Sequence, residues 1–83
     1  MLPREVSQAV FTRDNFQCRS CKWRGDLHPH HVIHKSKGGK DELNNLITLC
    51  AHCHRLHHDG KLAIFTVKII ENDVIVSCHL RGK

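Results

Sequence analysis

Tyrosine is absent from this sequence, and Phe and Trp together make up only 5% of its 83 residues. A chain of this length is expected to bury only about 63% of the surface that its unfolded form exposes. Because aromatic side chains add so little to that core, the fold needs disulfides, a metal ion or a partner copy to support it. The composition therefore predicts one small domain that depends on such a support.

Long hydrophobic runs are also missing, since the longest is the four residues 62–65. Their absence excludes a helix that could cross a membrane. Pro3, Arg4 and Glu5 stand close behind Met1, where a secretion signal would have an apolar stretch. We therefore expect a cytoplasmic protein without membrane contact, in which closely spaced cysteines bind metal or form redox pairs rather than structural disulfides.

Metal-binding and basic side chains, by contrast, are abundant. The chain has five Cys and nine His, and all but one of each lie between Cys18 and His58. Thirteen basic and eight acidic residues give a net charge of +5 with His neutral. The charge suits an anionic partner such as nucleic acid without identifying one, whereas the clustered ligands predict a metal site in that segment.

Periodicity and turn residues indicate an α+β fold in a single domain, 1–83. The predicted segments are a helix over 2–13, a strand over 27–33, a charged loop over 35–44, a strand over 46–49, a helix over 51–59 that ends at Gly60, and a hairpin within 61–80. Val74, Val76, Cys78 and Leu80 alternate along the last strand and predict one apolar face. We expect that face to cover the metal-binding segment, because an isolated two-stranded hairpin would be marginally stable.

Four of the cysteines form two CxxC pairs. Cys18 and Cys21 are separated from Cys50 and Cys53 by 28 residues. A two-residue gap lets both thiolates of a pair bind one ion, and four thiolates complete the tetrahedron that structural Zn²⁺ prefers. A redox pair would instead be expected in a thioredoxin-like βαβ setting, which this sequence lacks. The spacing predicts a closed zinc site that supports folding and leaves no position for a substrate.

Histidines supply the ligands for a second metal site. His54 and His58 lie four residues apart and share one face of the predicted helix. His30 on the strand can close the gap to the same ion, while His31 points to the opposite face. His57 would replace His58 if the helix frays. Three neutral imidazoles leave coordination positions open, which is typical of a catalytic ion.

In their order and spacing these motifs resemble the zinc-bearing branch of the HNH endonuclease family, whose ββα-metal fold is also called the His-Me finger. The resemblance covers roughly residues 4–59, and its most specific segments are 12–18 (TRDNFQC), 30–33 (HHVI), 38–39 (GG), 45–50 (NLITLC) and 53–54 (CH). The letters of the family name correspond to His31, Asn45 and His54. The implied fold is a zinc-bearing ββα-metal core over 18–59, with the helix 2–13 before it and the hairpin 61–80 after it.

The activity that this resemblance implies is metal-dependent cleavage or nicking of DNA by phosphodiester hydrolysis. His31 would act as the general base toward water, a role that suits histidine because its imidazole exchanges a proton near neutral pH. Asn45 would fix the His31 ring or hold the loop that does so. A catalytic ion at His30, His54 and His58 would bind the scissile phosphate and stabilise the leaving oxygen. The spacing of His54 and His58 is similar to that of colicin-type DNases.

The implied cofactors are structural Zn²⁺ and one divalent catalytic ion, drawn from Mg²⁺, Mn²⁺, Ni²⁺, Co²⁺ and Zn²⁺. Relatives often have Asp at the position of His30, and an imidazole there favours the last four ions over Mg²⁺. His28 is expected to shape this site without binding its ion. Solvent exposure or local hydrogen bonding is expected for the remaining histidines: His34, His52, His57 and His79.

DNA is the implied partner. The basic residues predicted to contact its phosphates are Arg19, Arg24, Lys35, Lys37, Lys40 and Arg55. A solvated loop is an equally good explanation for the three lysines. Trp23 is expected to cover the first CxxC pair, although it could stack on a base.

Two other functions stay open at this stage. An inactive zinc-ribbon module that only binds DNA is the alternative function, and it would need no general base such as His31. An interaction protein that dimerises through the hairpin edge would need no histidine cluster. For the nuclease itself we also leave open a homodimer or a partner protein that supplies specificity, and we expect a prokaryotic or phage-encoded protein.

Overall fold

In the computed structural model, which describes residues 2–81, the first element is helix α1 (Arg4–Arg13). The helix begins two residues later than the predicted start at residue 2, because Pro3 has an extended backbone with ψ of 146° and serves as the N-cap. Val10 is fully buried on the inner side of the helix. Neither this helix nor any other among residues 2–81 is long and apolar enough to cross a membrane.

The middle of the chain forms two antiparallel strands and a helix. Strand β1 (Leu27–His31) pairs with β2 (Leu46–Cys50), and His30 lies opposite Ile47 in their register. Every residue of β2 is buried, and helix α2 (Ala51–His58) follows it without a linker. This ββα arrangement confirms the predicted α+β fold.

Gly60 ends α2 as the sequence predicts. Its φ of +76° is left-handed, a conformation that glycine adopts without steric cost, and its N–H donates to the carbonyl of His57. The next N–H, of Lys61, donates to the carbonyl of Leu56. These bonds turn the chain directly from α2 into the second pair of strands.

That second pair is a hairpin of β3 (Leu62–Ile70) and β4 (Asp73–Leu80). Leu62 at the open end of the hairpin and Val74 beside its turn both join the buried core around Ile47 and Leu49, so the hairpin covers the ββα unit along its length. Farther along β3, large apolar side chains such as Val67 are exposed. The predicted apolar face of β4 is right at positions 74, 76 and 78, which pack on the core, and wrong at position 80, which ends the strand and is 73% exposed.

A buried carboxylate joins α1 to both sheets. Asp14 accepts hydrogen bonds from Arg13 and Arg19 and from the backbone N–H of Thr48 in β2. Arg19 also donates to Asp73 at the start of β4. Burial raises the pKa of Asp14, but the hydrogen bonds and charges of the two arginines outweigh it and hold that pKa below its ordinary value. The carboxylate therefore stays ionised and keeps these elements in contact.

Candidate active site and metal centres

The four cysteines of the CxxC pairs come together as the sequence predicts. Their Sγ atoms all lie within 4.8 Å of one another, and those of Cys21 and Cys50 are 3.6 Å apart. A tetrahedral zinc site with Zn–S bonds of about 2.3 Å places its sulfurs about 3.8 Å apart. The cluster therefore has the dimensions and donor set of a closed, tetrahedral Zn²⁺ site.

Backbone geometry prepares these sulfurs for a cation. The N–H of Cys21 points at Cys18 Sγ at 3.5 Å, and the N–H of Cys53 points at Cys50 Sγ at 3.4 Å. Burial raises the pKa of Cys18, but backbone N–H groups outweigh it and lower that pKa to about 7. Burial and the three neighbouring thiols raise the pKa of Cys53. Four crowded thiolates repel one another, so their full ionisation requires a bound cation.

A second cluster surrounds His30, whose side chain points from β1 toward α2. The ring centroid of His30 lies 4.7 Å from that of His57, 5.5 Å from that of His54 and 6.2 Å from that of His34. His30 Nε2 is buried and has no hydrogen-bond partner among the described residues. A buried polar atom without a partner is costly, and a metal ion would supply one.

The electrostatics of His30 suit a metal ligand. Burial and, to a smaller extent, the neighbouring imidazoles together lower the pKa of His30 to about 3. Burial, followed by the neighbouring histidines, also lowers the pKa of His54. Both rings are therefore neutral at pH 7 and keep a lone pair for an ion. In residues 2–81 only the four cysteines form a group whose ligand atoms all lie within 4.8 Å of one another. The ligand atoms of the imidazole cluster are therefore spaced more widely than the sulfur atoms.

His57 lies where the sequence analysis expected His58. Its Nδ1 is 3.0 Å from the carbonyl oxygen of Leu62, which can only accept, so Nδ1 carries the proton and Nε2 is left free for an ion. His58 is exposed and forms no ring contact within the described part of the chain. Positions three and four residues after His54 both lie on its side of a helix. The packing of α2 against β1 and β3 places His57, rather than His58, beside His30.

His28 and His34 lie at the edge of this cluster. The ring of His28 is 6.1 Å from that of His54, and the ring of His34 stacks on that of His57 at 6.4 Å. Both side chains are exposed. The exposure of His34 agrees with the sequence-based expectation, and its ring approaches the cluster because the chain bends back toward α2 after β1.

His31 faces the loop rather than the imidazole cluster. Its Nε2 lies 2.6 Å from Oδ1 of Asp41, and Lys35 approaches the other carboxylate oxygen at 3.4 Å. The hydrogen bond from His31 lowers the pKa of Asp41, so this carboxylate is ionised at neutral pH. With Nε2–H donating to Asp41, Nδ1 of His31 is the atom available to take a proton. Asp41 is absent from the sequence-based site, because its ten-residue separation from His31 follows no recognisable motif.

Asn45 is buried and holds the loop that carries Asp41. Its Oδ1 accepts from the N–H of Ile33 at 2.8 Å, and its Nδ2 donates to the carbonyls of Ile33 and Lys40 at 3.1 and 2.9 Å. A Cβ at Gly39 would collide with the carbonyl of Ile33, so the loop closes this tightly only with glycine there. Of the two alternatives for Asn45, the structure shows the contact with the loop.

The six basic residues that the sequence assigned to DNA divide into two groups. Arg19 is largely buried and bonds Asp14, Asp73 and the carbonyl of Val74, so its guanidinium serves inside the protein. Lys35 is exposed but approaches Asp41, as described above. Arg24, Lys37 and Lys40 are exposed without an ion pair within residues 2–81. Arg55 is also open to an external phosphate because its side chain is 84% exposed, although its Nε lies 3.9 Å from Asp59.

Comparison with known proteins agrees with this geometry. The model of the HNH endonuclease family matches residues 18–60, from the first cysteine of the cluster to the glycine after α2. The chain belongs to the HNH endonuclease family. The resemblance drawn from the sequence is thus confirmed, and the family match supports a DNA-processing chemistry.

Two curated relatives are similar to this HNH chain. A protein of Nostoc sp. strain PCC 7120 named Anaredoxin is 35% identical over 63 residues, which cover 74% of this chain and 82% of the relative. The type IV methyl-directed restriction enzyme EcoKMcrA of Escherichia coli strain K12 is 49% identical over 37 residues. Those residues cover 45% of this chain and 13% of the enzyme. No solved structure matches the chain.

The sulfur cluster gives a direct prediction about metal and folding. Replacing Cys50 with Ser removes one ligand and also the sulfur that accepts from the N–H of Cys53. Because metal binding to such a cluster supplies folding free energy, Cys50→Ser should lose its zinc and its structure together. The measurement is zinc content after dialysis, combined with far-UV circular dichroism.

Cys78→Ser is the matched control, because the fifth cysteine lies outside the cluster. The control should keep one zinc per chain and its wild-type spectrum. A Cys50→Ser protein that folds normally without metal would contradict the assignment.

Proposed function

We propose that this protein is a divalent-metal-dependent DNA endonuclease that hydrolyses or nicks the phosphodiester backbone. The observation that carries the proposal is the buried, unpartnered Nε2 of His30, which faces the rings of His54 and His57. A general base, His31, stands next to it in the chain and is bonded to Asp41. Metal ligands and an oriented base at adjacent positions are the parts that phosphodiester hydrolysis requires.

The proposal assigns a structural role to one metal site and a catalytic role to the other. The four cysteines would hold Zn²⁺ in a closed tetrahedron that supports the fold. His30, His54 and His57 would hold the second ion, with positions left for water and phosphate. When bound there, a divalent ion stabilises charge that develops on the phosphate and on the leaving oxygen. Imidazole ligands favour Mn²⁺, Ni²⁺, Co²⁺ or Zn²⁺ over Mg²⁺.

His31 acts on the attacking water. Its Nδ1 takes the water proton, while its Nε2–H stays bonded to the Asp41 carboxylate. The carboxylate fixes the tautomer and the orientation of the ring, and it stabilises the imidazolium that forms. Asn45 keeps Asp41 in reach by holding both ends of the intervening loop through Ile33 and Lys40. Asp41 and Asn45 are therefore positioning residues for His31.

DNA is the substrate class that the surface favours. Exposed side chains of Arg24, Lys37, Lys40 and Arg55 can contact phosphates, which contribute affinity without reading sequence. The similarity to a restriction enzyme supports the same class. We infer low intrinsic sequence specificity, since helix α1 and the β3–β4 hairpin are the only helices or strands of the described residues that lie outside the metal-binding unit.

An inactive module that only binds DNA is the second candidate. It shares the sulfur cluster and the basic surface, but it needs neither an oriented base nor a buried neutral ligand. The short contact between His31 and Asp41 favours the nuclease, because a module that only binds has no use for this pair. Activity measurements on His31 variants separate the two candidates.

The first prediction of this proposal concerns His31. His31→Ala removes the base but no proposed metal ligand, so cleavage of supercoiled plasmid should fall by about 10²-fold or more. DNA affinity and metal content should remain at wild-type levels. The measurement is a cleavage time course with a panel of divalent ions, run beside a DNA-binding titration. His79→Ala is the control and should cleave DNA normally. The exposed ring of His79 forms a hydrogen bond only with Ser77 among the described residues.

Two results would count against the account in different ways. Wild-type protein that binds DNA but cleaves with none of the five divalent ions would support the inactive module. Undiminished cleavage by His31→Ala would reject the mechanism while leaving the protein a nuclease.

The second prediction compares neighbouring histidines. His57→Ala removes a ring that lies 4.7 Å from His30, whereas His58→Ala removes an exposed ring from the next position. We expect His57→Ala to weaken Mn²⁺ binding to the imidazole cluster by about tenfold or more, and His58→Ala to change it little. Isothermal titration of each zinc-loaded variant with Mn²⁺ measures the difference. The opposite order of effects would restore His58 as the third ligand.

A further inference from the structure

Trp23 is the one tryptophan of the chain, and it is 63% exposed. It lies in the turn between the first CxxC pair and β1, with exposed Lys22 and Arg24 on either side. Trp23, Cys21, Cys50 and His52 line one shallow depression, so the indole borders the sulfur cluster. The expected contact with the first CxxC pair is present at Cys21, and most of the ring surface remains exposed.

The exposed ring is held in place. A Cβ on Gly25 would lie 2.8 Å from the indole Nε1, so the nitrogen edge of the ring abuts the Gly25 backbone. Lys22 and Asp26 have positive φ values of 69° and 50°, which bend the chain on both sides of the turn. The carbonyl of Trp23 accepts from the N–H of Cys18 at 2.8 Å and ties the turn to the sulfur cluster. The indole is therefore a pre-oriented surface.

An exposed indole between two cations matches the chemistry of an unpaired nucleotide. A base that is free of its stack offers a flat face to the ring, and its flanking phosphates suit Lys22 and Arg24. In a duplex both faces of each internal base are already stacked and cannot pack on the ring. Asp26 is the one acidic residue of this turn, so the turn keeps a net positive charge from Lys22 and Arg24.

We propose that Trp23 is a stacking site for an unpaired base of single-stranded DNA, with Lys22 and Arg24 contacting the adjacent phosphates. The inference rests on the proposed function, because it names the form of DNA that the same protein binds. Trp23 and His30 are seven residues apart, so the chain between them spans at most about 25 Å. One short segment of DNA can therefore reach both the stacking site and the imidazole cluster.

Intrinsic fluorescence reports on this site without a label, because the chain has a single tryptophan and no tyrosine. The probes are a 12-nucleotide oligo(dT), an abasic oligonucleotide of equal length, and a duplex of equal length. All are titrated into protein dialysed to one zinc per chain, with no further divalent ion added, so that the imidazole cluster holds no ion and no cleavage occurs. Oligo(dT) should quench the emission at saturation, whereas the abasic strand should bind through its phosphates with little quenching. The duplex should quench less than oligo(dT).

Substitutions test whether the ring itself contributes to affinity. Trp23→Ala should weaken oligo(dT) binding by about tenfold, the usual scale for loss of one stacked base, and should leave abasic binding unchanged. Trp23→Phe should restore most of the affinity. Gly25→Ala, which must displace the indole, should weaken oligo(dT) binding while the tryptophan remains. Anisotropy of labelled oligonucleotides measures affinity in every variant, and zinc content confirms that each has folded.

Two outcomes would overturn the stacking site. They are wild-type affinity of Trp23→Ala for oligo(dT), and equal quenching by the abasic strand. If Trp23→Ala loses its zinc, the abasic comparison on wild-type protein and the Trp23→Phe affinity decide instead. His31→Ala should quench like the wild type, so a failed nuclease and a failed stacking site give different results.

Discussion

The four-sulfur cluster is the constraint on which the rest of this structure depends. It joins the turn after α1 to the junction of β2 and α2, because Cys18 lies on one side and Cys50 and Cys53 on the other. With so few aromatic residues, the remaining core is built from short aliphatic side chains around Ile47 and Leu49. By fixing the first turn of α2, the cluster sets which face of that helix meets β1.

The sulfur cluster and the imidazole cluster differ in how their ligands ionise. Thiolates repel one another until a cation joins them, so the sulfur cluster is coupled to folding. The imidazole of His30 is neutral at pH 7 whether or not an ion is bound, because burial and the neighbouring imidazoles lower its pKa to about 3. This second centre can remain open and exchangeable while the first holds the fold. Separate ligand chemistries therefore allow a chain of 83 residues to combine a structural centre with a proposed reactive one.

Short-range patterns predicted the fold and the sulfur cluster, since CxxC spacing and strand or helix periodicity act over a few residues. Contacts set by packing were not predictable in this way. The position of His57 beside His30 depends on how α2 lies against β3, and the contact of Asp41 depends on loop closure around Asn45. Arg19 was assigned to DNA because its bonds to distant acidic residues leave no local signal in the sequence.

A crystal structure of the zinc-loaded protein soaked with Mn²⁺ would show whether this chain binds two metal ions at centres of different chemistry. Anomalous scattering at the zinc and manganese edges distinguishes the two ions. We expect zinc among the four cysteines and manganese bound by Nε2 of His30, with His54 and His57 as the other ligands. Manganese bound elsewhere, or an imidazole cluster that stays empty at saturating Mn²⁺, would contradict this expectation.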